Sequence, residues 1–96
     1  MILHTLNCNG NSESFRDCLR TAQSGDAILL LGDGVYSALA NSESAQALHD
    51  SAAKVMALDT DALAAGLETR LGSIPLVDMD SFVALSEYYP RQLAWY

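Results

Sequence analysis

Positive charge is scarce in this chain. Five Lys and Arg stand against twelve Asp and Glu, a formal net charge of −7 at pH 7. That leaves no basic face to neutralise a phosphate backbone or an anionic lipid surface, and direct nucleic-acid binding is not expected. Long apolar runs are missing too. No stretch approaches the roughly 20 apolar residues that span a bilayer, and the start lacks a basic segment followed by a long apolar one, so a cytoplasmic protein with no membrane association is predicted. Cysteine is limited to Cys8 and Cys18. They form no Cys-x-x-Cys pair and have too few His or Cys companions for a metal site, and a structural disulfide is not expected.

What the chain has in quantity is apolar surface. Half of its 96 residues are hydrophobic and only 18% are charged. A single domain of this size buries only about 60–65% of its unfolded surface, so the surplus points to burial against other subunits. The organising stretch is Asp26 to Leu39. Ala27 to Leu31 is continuously apolar, the signature of a central strand covered on both faces. Gly32 and Gly34 allow a sharp turn, and Asp33 is placed to cap a following helix carrying Val35, Ala38 and Leu39. The same Gly-Asp-Gly turn is unsuited to phosphate, because Asp33 puts a negative charge where an anion would sit; no nucleotide or other cofactor is expected.

Around this unit, strands and helices alternate. A first strand over 1–6 leads into a turn-rich loop over 7–11. A helix over 12–24 follows, capped by Asn11 or Ser12, with Phe15, Cys18, Leu19 and Ala22 along one stripe. A weaker helix over 42–52 is capped by Asn41 or Ser42. The third strand covers 54–58, and Asp59 or Thr60 caps a short helix through 67. A surface loop over 68–73 precedes a strand over 74–77, where Pro75 belongs at a strand start or edge. The last helix, capped within 78–81, buries Phe82, Leu85 and Tyr89 and stops at Pro90; residues 92–96 add a terminal strand. Four strand–helix alternations imply parallel pairing with right-handed crossovers. The expected fold is a single α/β domain over 1–96, a small three-layer sandwich with a mostly parallel sheet of four to five strands and helices on both faces.

Residues with chemical potential are few. His4 lies in the first strand with no acid or nucleophile beside it in sequence, which favours a structural histidine. Cys8, in a loop after a first parallel strand, is expected to be exposed. Cys18, on an apolar helical stripe, reads as a small buried hydrophobe; Arg16 and Arg20 on adjoining faces could stabilise its thiolate only if the helix edge were open. His49 and Asp50 are neighbours in a helix, point about 100° apart and cannot pair.

Five segments in order resemble the DsrH/TusB sulfur-relay subunits of the DsrE-like fold. They are Ile2-Leu3-His4-Thr5-Leu6; Leu29-Leu30-Leu31-Gly32-Asp33-Gly34-Val35; Ala57-Leu58 with Asp61-Ala62-Leu63-Ala64-Ala65-Gly66-Leu67; Leu76-Val77-Asp78 with Phe82-Val83; and Gln92-Leu93-Ala94-Trp95. The resemblance implies a Rossmann- or flavodoxin-like DsrE fold. It also implies a place in a cytoplasmic complex that passes persulfide sulfur toward 2-thiolation of the tRNA wobble uridine. The implied assembly is a heterohexamer with TusC/TusD-like or DsrE/DsrF-like sister subunits, delivering sulfur to a TusE/DsrC-like acceptor, with the principal sulfur-carrying cysteine on a sister chain. Cys18 coincides with a first-helix cysteine of DsrH members. The alternative implied reading is therefore a DsrH-type subunit of dissimilatory sulfur oxidation in which Cys18 is the catalytic, sulfur-carrying residue.

Overall fold

The computed structural model describes residues 1–8 and 10–96. Five strands, β1 (Ile2–Leu6), β2 (Ala27–Leu30), β3 (Lys54–Leu58), β4 (Leu76–Val77) and β5 (Arg91–Trp95), form one sheet in the order β4-β3-β2-β1-β5. Every neighbouring pair is parallel. The central-strand expectation holds literally: β2 occupies the middle position, and all four of its residues are buried.

The strand order decides where the helices go. From β1 to β4 the chain steps across the sheet in one direction, so right-handed crossovers put α1 (Glu13–Thr21), α2 (Glu43–Asp50) and α3 (Asp59–Ala64) on one face. The step from β4 back to β5 runs the other way, and α4 (Met79–Tyr88) lies on the opposite face. Alternate strand residues serve the two layers. Leu6, Ile28, Leu30 and Ala57 pack with Phe15, Cys18, Leu48 and Ala62 on the three-helix side. Leu3, Ala27, Leu29 and Met56 pack with Phe82, Leu85 and Tyr89 on the α4 side. None of the α4 residues is itself fully buried, whereas each helix of the other layer contributes at least one buried side chain.

Most local expectations match. Ser12, Ser42 and Asp78 cap α1, α2 and α4, accepting hydrogen bonds from the backbone N–H groups of Phe15, Ala45 and Ser81. Pro75 precedes the two-residue edge strand β4, and its carbonyl accepts from the Ala57 N–H at 3.0 Å. The loop over 7–11 is described apart from Asn9, which lies outside the described residues.

Two caps differ. Asp33 does not cap an α-helix: Gly32–Ala38 is a 3₁₀ helix without a side-chain cap. Its leading N–H groups are taken from outside, Gly32 by Asp61 Oδ2 at 2.7 Å and Asp33 by Asn7 Oδ1 at 3.2 Å. Neither Asp59 nor Thr60 caps α3, where Leu58 holds the cap position. Asp59 is in the first turn, a place the helix dipole favours for a carboxylate, and Asp61 faces back to the glycine turn. Asp61, not among the expected caps, thus serves a turn 29 residues away.

Gly34 is required for space. Gly32 has a positive φ of 54°, but Gly34 does not share that conformation. A Cβ at Gly34 would overlap the carbonyl oxygen of Leu6. That oxygen cannot withdraw, because it accepts the Leu31 N–H at 3.2 Å between β1 and β2. Gly34→Ala is therefore expected to cost about 2 kcal/mol through overpacking, a fall of about 8–16 °C in thermal midpoint for a domain of this size. Thermal unfolding followed by circular dichroism checks this, and an unchanged midpoint would remove the close-approach explanation.

Candidate functional site

Cys18 is the second residue of the α1 stripe Phe15, Cys18, Leu19 and Ala22, which packs toward the sheet. Phe15 and Cys18 are buried, and no part of Cys18 reaches solvent. Burial, with a smaller contribution from nearby Cys8, pushes the Cys18 thiol up to about 12. At neutral pH only on the order of one thiol in 10⁵ is then ionised. The flanking arginines do not counter this. Arg20 pairs with Asp17 on the surface of the same helix, and Arg16 Nη1 donates to the Asn11 carbonyl at 3.3 Å. Cys8 is not the exposed thiol that its loop position predicts. It joins the same cluster as Phe15, Cys18 and Val35, because Asn7 anchors the loop to the glycine turn and leaves the next side chain facing inward. Both cysteines are free. Among the described residues, no group of three or more His, Cys, Asp or Glu side chains gathers as a metal site requires.

The structure brings together a polar cluster that local sequence could not show. His4 is completely buried, and its Nε2 lies 3.0 Å from Asp26 Oδ2. Its Nδ1 accepts the indole N–H of Trp95 at 3.1 Å, and the two rings stack at 6.2 Å. Indole nitrogen only donates, so Nδ1 is the bare nitrogen and Nε2–H points at Asp26. Asp26 also accepts the Ile2 N–H at 2.9 Å and the Gln23 N–H at 3.0 Å. Burial acts to raise the Asp26 carboxyl, but the hydrogen bonds from His4, Gln23 and Ile2 outweigh it and hold the group below the ordinary carboxylate value.

This His–Asp pair is not arranged for catalysis. The nitrogen that would take a proton from a nucleophile is occupied by Trp95, and the imidazole is shut off from solvent. Its effect is mechanical: residues from β1, the position just before β2 and the end of β5 are joined across 91 positions of sequence. The sequence signal was an Asp opening an otherwise apolar strand. Only the register, which pairs Leu3 with Ala27 and His4 with Leu93, brings that Asp and Trp95 to His4. His49 and Asp50, by contrast, stay apart as their spacing demands, and Asp50 accepts from Gln46 Nε2 instead.

A family model described as DsrH like protein matches residues 10–92. TusB proteins match over nearly the whole chain: 38% identical over 95 residues in Pectobacterium atrosepticum, and 37% over 95 residues in Escherichia coli K12, with 98% of this chain and 100% of each relative covered. This chain belongs to the DsrH/TusB family of sulfur-relay subunits. Among solved structures, the Tm0979 protein of Thermotoga maritima superposes with a TM-score of 0.69 at 28% identity, covering 92% of this chain and 93% of that one. The ychN protein of E. coli gives a TM-score of 0.79 at 15% identity over 98% and 97% of the two chains, a likeness of fold alone. The family assignment agrees with the resemblance in the five motifs. Two of the motif residues, His4 and Trp95, contact each other directly, and Asp61 holds the turn that contains Gly32.

Asp26→Asn tests the network. Replacing a carboxylate that accepts three hydrogen bonds is expected to cost about 1.5–3 kcal/mol at pH 7. Because the folded carboxyl lies below its ordinary value of 3.8, the native contribution is complete above that pH and is lost as pH falls through the lower folded value. The gap in thermal midpoint between native and variant should therefore narrow below pH 4. A gap independent of pH would contradict the charged role of Asp26.

Proposed function

We propose that this chain is the non-catalytic docking subunit of a cytoplasmic relay that passes persulfide sulfur for 2-thiolation of the tRNA wobble uridine. In this reading it assembles with TusC-like and TusD-like sister subunits in a heterohexamer, a sister chain holds the carrier cysteine, and a TusE-like protein takes the sulfur onward. Full-length likeness to TusB proteins supports the choice of pathway. The observation that carries the docking role is the state of Cys18. A carrier must present a thiolate first to a donor and then to an acceptor, and this thiol is fully enclosed with its ionisation suppressed. Among the described residues no base stands next to it, and the net charge of −7 opposes a direct grip on tRNA.

Cys18 keeps a supporting role as part of the α1 packing against the sheet. Cys18→Ser should leave the complex assembled and lower sulfur flux only partly, with a stability cost of about 1–3 kcal/mol from burying a hydroxyl in an apolar cluster. The decisive measurement is intact-protein and peptide mass spectrometry after loading the reconstituted complex with persulfide. The expected result is an added sulfur atom on a sister subunit and none in stoichiometric amount on Cys18. Stoichiometric sulfur on Cys18, with transfer abolished in the serine variant, would make this chain the carrier.

A further inference from the structure

The α4 face of the sheet is only half covered. The outer strands of a five-stranded sheet are about 20 Å apart at the usual spacing, whereas one helix with its side chains is about 10 Å across. The uncovered strip is a groove of about 520 Å³ beside α4. Its floor is Met56 and Val77, and its wall is Ser81, Ala84, Leu85 and Tyr88, spaced i, i+3, i+4 and i+7 along the helix. The groove is open to solvent at Tyr88, which is 68% exposed.

We propose that this groove seats a helix of a non-identical sister subunit, one whose apolar stripe is flanked by Lys or Arg. The proposal rests on the relay reading above and adds where the sister chain binds and what it must carry. A helix is the right occupant because the open strip is about one helix wide and the α4 stripe presents the ridges against which another helix packs. A strand is not: β4 is two residues long, and the preceding Pro75 has no N–H to offer an added strand. Charge selects the partner. Asp80 and Glu87 stand exposed on α4, four residues before and three after Ala84 of the groove wall, and among the described residues Lys54 is the only cation lining the groove. A second copy would bring the same acids, and a further −7, against this rim; a basic-flanked stripe answers it.

The test uses the full chain co-expressed with its TusC-like and TusD-like sister chains. Ala84 is exposed, so Ala84→Arg fills the groove without entering the core, and the pair Asp80→Lys with Glu87→Lys reverses the rim and leaves the floor intact. Both variants are checked for an unchanged thermal midpoint when purified alone. The expected result is at least a tenfold loss of co-purified sister chain for each, while Glu43→Lys on the opposite layer retains it. Normal retention by both groove variants would overturn the groove as the seat while leaving the relay reading intact. Failure of the unmodified chain to retain any sister would overturn the relay reading and this inference with it. A homodimer of the isolated chain by light scattering, abolished by Ala84→Arg, would overturn the non-identical occupant.

Discussion

A parallel sheet has to be covered on both faces, and this chain has one crossover helix on the second face to do it with. Three successive steps in one direction commit α1, α2 and α3 to the same layer, and only the return from β4 to β5 supplies a helix to the other. The consequences are visible in the packing. The three-helix layer holds fully enclosed side chains, Cys18 among them, while α4 buries none of its own residues and leaves an apolar strip beside it. The unbalanced layering goes with a composition rich in apolar residues and poor in charge.

The return to β5 has to be held as well as made. β5 is an edge strand whose residues are mostly exposed, so hydrophobic burial alone gives it a weak grip. The His4, Asp26 and Trp95 network supplies the rest, from a buried imidazole with both nitrogens engaged and a carboxylate kept ionised by three donors. A His–Asp pair in an α/β protein invites a catalytic reading. Here the hydrogen-bond directions count against it, since the indole N–H fills the acceptor nitrogen.

The fold was legible in the sequence where the signal was periodic. Ala27 to Leu31 announced a two-faced central strand, the stripe through Phe15 and Cys18 announced α1 and the burial of its thiol, and Pro75 announced an edge. It was illegible where a partner comes from another element. Asp33 and Asp59 looked like caps for the helices that follow them, yet Asp61 and Asn7 serve the glycine turn across gaps of 29 and 26 residues. Cys8 looked exposed because a loop was expected to face outward, and Asp26 was indistinguishable from a turn residue until register set it beside His4. Gly34 was recognisable as a turn glycine, but the reason only glycine fits is the Leu6 carbonyl, which belongs to a different strand.

On the proposal above, this subunit meets the relay through its thinly covered α4 face rather than through its cysteine. Amide hydrogen exchange on the chain alone and within the assembled complex addresses that most directly, because local opening follows local burial. Assembly should slow exchange most across Leu76 to Tyr89 and leave α1, which already encloses Cys18, close to its free-chain rates. Slowing centred on α1 and the loop after β1, with no change along α4, would rule out docking through α4.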